Sequence, residues 1–401
     1  MYINLVHLLL ENSRRFIEDI IVCNCISGVS LYGNSENFNL TNPFQFRTDK
    51  TMTRIEALKA KAQKQGKPGN LAIFNQQNIT YFTNFSGAVA LLIQENGDNI
   101  LYVSGVNLEQ AKVEAKNVTV QQLKRGESVI EKIAKQTQTN KLCVDLLSIE
   151  SYQALARASG GEEKIEAANH LIRDMRRVKD QEEITLIKEA CRLADIGLKA
   201  AGQAVQPGVK EKDVAAEAEY AMRKAGSDGV AFDTIVASGH CCAYPHGTFL
   251  DRTIAEGDLV VVDLGATWRF YRSDITRTFV AGKPTEKQSK MFEAVKSAHR
   301  AALDAIAPNV LAKEVDSSAR GVIGEAGFSD YFVHNLGHGV GLEVHEAPIL
   351  SPDSKDILEA GNVVTNEPGI YLPLYGGVRL EDTILVTEKG AEKLTLSPYR
   401  L

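Results

Sequence analysis

The chain lacks the features that would send it to a membrane, a nucleic acid or a disulfide scaffold. No apolar run approaches the ~18 residues of a membrane span. The short run from Leu5 to Leu10 is broken by His7, and it has no basic flank before it and no small-residue cleavage site after it, so it is a poor signal peptide. Excess positive charge is also missing. With 45 basic and 51 acidic residues the net charge is −6, which does not favour a nucleic acid or an anionic membrane as partner. The six cysteines, Cys23, Cys25, Cys143, Cys191, Cys241 and Cys242, have no paired CxxC spacing. Free thiols in a reducing compartment are therefore expected, with the cytoplasm as the default location. Adjacent Cys241 and Cys242 read as small buried hydrophobes.

What is present is an ordinary globular composition, 44% apolar and 24% charged over 401 residues, long enough for two domains. Residues 1–51 stand apart: they are Asn-rich around GNSENFNLTNPF and show no sustained period. They are expected to be an upstream extension, poorly ordered or not translated, with Met52 as the natural initiator. From Met52 the pattern becomes regular. An amphipathic helix carries Ile55, Leu58 and Ala62 on one face and stops at Gly66 and Pro68. Strands are expected at 71–74, 88–94, 99–104 and 141–145, the middle two joined through Asn96-Gly97-Asp98. Residues 52 to about 170 thus read as an α/β domain, and the charged stretch RDMRRVKDQEEI marks its end. A long helix follows, with Ile184, Ile187, Cys191, Ala194, Leu198 and Ala201 on its buried face; further helices are expected at 211–225, 286–306 and 313–326. Hairpins rather than βαβ repeats join the remaining strands, which argues α+β with an antiparallel sheet.

The most informative feature is a repeat. Gly257 to Gly265 (GDLVVVDLG) aligns with Gly361 to Gly369 (GNVVTNEPG), so that Val260 falls on Val364 and Asp263 on Glu367. Each segment then turns and returns through a second acid, Asp274 or Glu381. Two copies of one hairpin, each with a carboxylate on either strand, suggest pseudo-twofold symmetry. With the first turn centred near Trp268 and Arg269, Asp263 is expected directly opposite Asp274, their Cβ atoms about 4.5–5.5 Å apart. Two facing hairpins would bring four carboxylates to one point, where they would repel and take up protons unless divalent cations cancelled their charge. Carboxylates with an imidazole suit Mn, Zn, Co or Fe. His334, His338 and His345 fall within twelve residues of one another, and His338 is the best single ligand among them. Taken singly, each acid is an ordinary solvated turn residue, and His246 in AYPHGT an exposed one; the repeated pattern removes that reading for the acids. Arg379, Thr276 and Thr383 share a strand face with the acids by alternation and are expected to orient them. His7, His170, His240 and His299 carry no such expectation.

These residues resemble the pita-bread metallopeptidases, and within them the proline peptidases, aminopeptidase P and prolidase. The resemblance covers about 52–401 and is carried by YPHGT, VVVDLGATWRFYRSDITRTF, VHNLGHGVGLEVHE, TNEPGIY and GGVRLEDT. It implies a creatinase-like N-terminal domain over 52–172 and a pita-bread catalytic domain over 173–401. It further implies two divalent ions, most often manganese, with cobalt or zinc as alternatives, held by Asp263, Asp274, His338, Glu367 and Glu381, with Asp274 and Glu381 bridging. His246, His334, His345 and Arg379 would line the catalytic centre, and Glu367 would also carry a proton toward the leaving nitrogen. The implied substrates are small peptides with proline second, and the implied assembly a homodimer. A strict dipeptidase must grip the substrate's free carboxylate, typically with an arginine that several prolidases carry shortly after the HE of the VHE block; here Ile349 stands near that place. That departure favours an Xaa-Pro aminopeptidase over a prolidase, or leaves the role to Arg379 or a residue of a neighbouring subunit. A non-catalytic pita-bread binding protein is the reading from another class; the complete ligand set speaks against it.

Overall fold

In the computed structural model, residues 52–137, 140–247 and 251–401 are described; the expected N-terminal extension, with Cys23 and Cys25, lies outside them. Helix α1 (Arg54–Lys64) opens the described chain. Thr53 caps it reciprocally with Glu56, and Ile55, Leu58 and Ala62 are the buried face that their spacing predicts. Strands β1 (Asn70–Ile73), β2 (Ala88–Ile93), β3 (Ile100–Ser104), β4 (Thr119–Leu123), β5 (Leu142–Val144) and β6 (Ile165–Ala167) form one sheet in the order β4-β3-β2-β1-β5-β6. Between and after them lie α2 (Gln76–Thr83), α3 (Leu108–Glu114), α4 (Val129–Gln136), α5 (Ile149–Ser159) and α6 (Asn169–Arg177). The β2–β3 hairpin turns where Asn-Gly-Asp predicts, but β3–β4, β1–β5 and β5–β6 are parallel pairs. Strand β6, Ile-Glu-Ala, is too short for its alternation to register, and β4, TVQQL, does not alternate and lies half-exposed at an edge, so the pattern reveals neither.

Beyond α6 the ladders are all antiparallel. The element order is run through twice. Helices α7 (Gln181–Ala204) and α8 (Glu211–Lys224) precede β7 (Gly229–Val230), β8 (Ile235–Ser238), β9 (Leu259–Leu264), β10 (Ala266–Trp268), β11 (Tyr271–Arg272) and β12 (Ile275–Val280). Helices α9 (Glu286–Ala305) and α10 (Ala312–Glu325) precede β13 (Gly337–Gly339), β14 (Glu346–Leu350), β15 (Val363–Asn366), β16 (Gly369–Leu372), β17 (Gly376–Arg379), β18 (Asp382–Thr387) and β19 (Gly390–Lys393). Both acid-bearing repeats are entered through a left-handed glycine, Gly257 (φ 80°) and Gly361 (φ 93°), a conformation that a Cβ would oppose. Along β9 the side chains alternate. Val260, Val262 and Leu264 pack on α7 and α8, while Leu259 and Val261 join the core beneath α9 and α10, the side on which Asp263 lies. No helix among the described residues is long and apolar enough to cross a membrane.

The hydrophobic core of the N-terminal sheet does not end at that sheet. One continuous cluster joins Leu71, Ile73, Leu91 and Leu101 to Ile184, Ile187 and Cys191 of α7, and then to Val340, Val363 and Leu385. The charged stretch between the two halves is likewise no solvated linker. Arg176 donates to Asn78 at 2.8 Å, Glu343 at 2.7 Å and Glu346 at 2.5 Å, and Lys179 reaches Glu346 at 3.3 Å. Arg176, Lys179 and Glu346 are all buried. Charge density alone cannot tell a solvated linker from a buried brace.

Removing one partner of such a buried pair leaves the other uncompensated, so Arg176→Ala should lower unfolding stability by about 3–5 kcal/mol, read from urea titration. The acid limb follows from the same contacts. Burial alone would raise the Glu346 carboxyl, but Lys179 and Arg176 outweigh it and hold the pKa below the usual 4.5. This contribution to stability is complete above the unfolded value and lost as pH falls through the folded one. Stability measured below about pH 4.5 should therefore fall less steeply in Glu346→Gln than in the unmodified protein.

Candidate metal centre

The nine residues singled out in the sequence line one cavity of about 330 Å³: Asp263, Asp274, His338, Glu367, Glu381, His246, His334, His345 and Arg379. Asp263 comes from the end of β9 and Asp274 from just before β12. Glu367 follows β15, Glu381 precedes β18, and His338 is the middle residue of β13. His334 and His345 sit in the loops flanking β13, and His246 lies on an exposed loop before β9. Phe232, Ile235, Val344 and Ile349 give the cavity an apolar wall.

The hairpin register differs from the expected one. Asp263 pairs with Thr276, not with Asp274. The turn residues are Arg269 (φ 45°) and Phe270 (φ 75°), so the turn centre lies one residue later and every cross-strand partner moves by two. Two successive positive φ values make the two-residue turn that fits strand twist, normally signalled by Asn-Gly. Here the bulky pair is held by the Asp228 carboxylate, which accepts the Arg269 amide at 2.6 Å, a contact no local pattern predicts. A shift of two preserves the face, so Asp263 and Asp274 still point the same way, as diagonal neighbours.

The two hairpins hold each other's acids. Thr276 of the first donates to Glu381 Oε2 of the second at 2.6 Å, while Thr383 of the second donates to the Asp274 carbonyl at 2.7 Å and accepts its amide at 3.2 Å. Arg379 is engaged through all three of its nitrogens. Its Nη2 donates to Asp263 Oδ2 at 2.7 Å, its Nε to Thr276 Oγ1 at 3.0 Å, and its Nη1 to the Tyr371 hydroxyl at 2.9 Å and the Pro245 carbonyl at 3.2 Å. The Tyr371 hydroxyl in turn lies 2.8 Å from His334 Nε2. His334 Nδ1 lies 2.7 Å from the Asn335 carbonyl; a carbonyl only accepts, so Nδ1 carries the proton and Nε2 accepts from Tyr371. His338 Nδ1 likewise faces a carbonyl, that of Gly339 at 3.1 Å, and so carries a proton; its Nε2, 3.3 Å from Glu367 Oε1 and 3.8 Å from Asp274 Oδ2, donates to Glu367 while the imidazole is protonated and presents its lone pair to a cation once that proton is lost.

Tyr371 and Thr365 were not singled out, although alternation from Glu367 places both on its face. Thr365 Oγ1 accepts the His338 amide at 3.0 Å and donates to Glu367 Oε1 at 3.1 Å. The remaining histidines among the described residues lie elsewhere: His299 is buried 3.1 Å from Asp382, His170 meets Gln65, and His240 faces Cys241; His7 is outside the described residues. Cys241 and Cys242 are core residues, and burial pushes the Cys242 thiol up to about 12.

The electrostatics point to a cation. Burial and the charges of neighbouring carboxylates push Asp274 and Glu381 well above the ordinary acid range. Burial also raises Asp263 against the pull of Arg379. Glu367 goes the other way: burial opposes its ionisation, but the hydrogen bond and charge of His338 hold it at about 2. Oδ1 of Asp263 and Oδ1 of Asp274 are buried without any hydrogen-bond partner, a costly state for a carboxylate that nothing coordinates. Ligand atoms of Asp274, His338 and Glu381 lie within 4.8 Å of one another. Orphaned carboxylate oxygens, a carbonyl-oriented imidazole and clustered acids fit divalent metal.

Comparisons with known proteins agree with this chemistry. The family described as Metallopeptidase family M24 matches residues 185–388, and the Creatinase/Prolidase N-terminal domain matches residues 54–178. The chain is 42% identical over 354 residues to a Xaa-Pro dipeptidase of Pyrococcus furiosus, covering 87% of this chain and 99% of that one. Among solved structures, it resembles the prolidase from Pyrococcus horikoshii OT3 with a TM-score of 0.82 and 39% identity, over 86% of this chain and 99% of that one. An X-Pro aminopeptidase from Thermotoga maritima matches with a TM-score of 0.77 and 34% identity, over 84% of this chain and 99% of that one.

Added manganese should stabilise metal-stripped protein, by about 2.7 kcal/mol at a hundred times its Kd. Calorimetric melting should show this shift in the unmodified protein and little of it in Glu381→Gln or His338→Ala.

Proposed function

The chain belongs to metallopeptidase family M24 and is a hydrolase of the pita-bread fold, and from that premise we propose that it is a Xaa-Pro dipeptidase, cleaving the bond between an N-terminal residue and a following proline. The observation that carries this reading is the buried cavity in which four carboxylates and His338 converge with two carboxylate oxygens left unpartnered. Two divalent ions, manganese by family resemblance, would be held by Asp263, Asp274, His338, Glu367 and Glu381. The ions supply Lewis-acid polarisation and lower the pKa of a water molecule. We also propose that residues 52–172 form the N-terminal domain and 173–401 the catalytic one.

The chain's own residues do the rest. Glu367, an anion facing His338, takes the proton of the attacking water and returns it to the proline nitrogen as the bond breaks. The nitrogen of the tertiary Xaa-Pro amide leaves poorly as an anion and must be protonated to depart as proline's secondary amine, so the base must be able to act next as an acid. His345 and exposed His246 are placed on the open side of the cavity to donate to the oxyanion of the tetrahedral intermediate. The Arg379–Tyr371–His334 chain fixes the third imidazole and holds Asp263, beside which the substrate's α-amine would sit.

The relatives favour a dipeptidase over the aminopeptidase expected from the sequence, since the 42% identical protein of Pyrococcus furiosus bears the dipeptidase name. One observation keeps the aminopeptidase as a second reading: the cavity wall carries apolar Ile349 where an arginine would grip a free carboxylate.

Hydrolysis of Ala-Pro and Ala-Pro-Ala, with EDTA and then with manganese, separates the two. Cleavage of the dipeptide alone, restored by metal, is expected; equal tripeptide cleavage would make the enzyme an aminopeptidase. His345→Ala should retain metal by elemental analysis while kcat falls about 10²–10³-fold. Equal loss of metal would remove His345 from the role of donor.

A further inference from the structure

A second cavity of about 250 Å³ adjoins the first, and His345 and Ile349 line both. It is walled by α6 on one side and by β14 with its flanking loops on the other. Its charged groups can be accounted for one by one. Glu343 and Glu346 are held by Arg176, with Lys179 also on Glu346. Asp356 is held by Arg177 at 3.1 Å and accepts the Ile349 amide at 3.0 Å. Every acid lining the cavity is thus neutralised by a cation that faces it. Arg173, on the exposed side of α6, lines the same cavity and makes no hydrogen bond or ion pair among the described residues. One full positive charge, on a planar fork of donors, is left facing the space beyond Ile349.

Resting on the dipeptidase reading, we propose that Arg173 is the residue that recognises the substrate's free C-terminal carboxylate, making this second cavity the place where the peptide's end is read. Arg379 cannot serve, because Asp263, Thr276, Tyr371 and the Pro245 carbonyl already occupy its guanidinium and it is buried. Arg176 is spent in the same way on Asn78, Glu343 and Glu346. Arg173 has the donors for a bidentate carboxylate contact, and Ile349 separates it from the metal ligands, so that the anion is met without competing with the catalytic acids for a cation. The specificity charge is therefore supplied from the helix that ends the N-terminal half rather than from β14.

The test compares Ala-Pro with Ala-Pro amide, which lacks the charge, on manganese-loaded enzyme. The ratio of kcat/KM for acid over amide should fall about 10–100-fold in Arg173→Ala, chiefly through the KM of the acid, and Arg173→Lys should restore part of it. Amide turnover in the same preparation reports that the variant is folded. An acid-to-amide ratio unchanged in Arg173→Ala overturns the assignment. If unmodified enzyme cleaves neither substrate, the dipeptidase reading itself fails, and the cavity's role with it.

Discussion

Four carboxylates cannot share a buried space unless something answers their charge. That constraint organises the catalytic half of the molecule. Asp274 and Glu381 are driven toward the protonated form by burial first, and then by neighbouring carboxylates, Glu381 acting on Asp274 and Glu367 and Asp263 acting on both. Arg379 answers Asp263, and His338 answers Glu367. The threonines then complete the arrangement by exchange: Thr276 reaches across to the acid of the second hairpin, and Thr383 to the backbone of the first. Each hairpin thus holds an acid of the other, Thr276 of the first gripping Glu381 and Arg379 of the second gripping Asp263. Side chains held this way are preorganised for cations before any cation arrives, which removes the reorganisation that a loop-borne site would require.

Much of this is legible in the sequence because it repeats. The match of Gly257–Gly265 to Gly361–Gly369 exposes the symmetry, and strand alternation places Thr276, Arg379 and Thr383 beside the acids. Helix faces follow from spacing, as Ile184 to Ala201 show on α7. What escapes notice has a physical reason in each case. The turn at Arg269 and Phe270 depends on an aspartate 41 residues away, and the register depends on the turn. Edge strand β4 is half-exposed and leaves no apolar trace. Tyr371 sits on the same face as Glu367, yet nothing in a strand's period says that its hydroxyl would join His334 to Arg379.

Charge placed between the two halves is the subtlest case. The run from Arg173 to Glu183 reads only as a charged boundary, yet within it one arginine is a buried brace and another a free cation on a cavity wall. Three residues separate Arg173 from Arg176, less than one helical turn, and their environments are opposite. Composition registers only that both are basic. The difference is made by β14, a strand some 170 residues onward, which brings Glu346 to one and leaves the other unmatched.

The shared hydrophobic cluster bears on modularity. Two family descriptions meet near residue 180, and such seams are where chains are commonly cut or recombined. Here Leu71 and Ile73 lie in the same apolar mass as Ile187, Val363 and Leu385. Cutting at the seam would strip one face from α7 and open to water the strands flanked by Glu367 and Glu381. The two family descriptions can be told apart along the chain, but the apolar mass behind them is one and belongs to both.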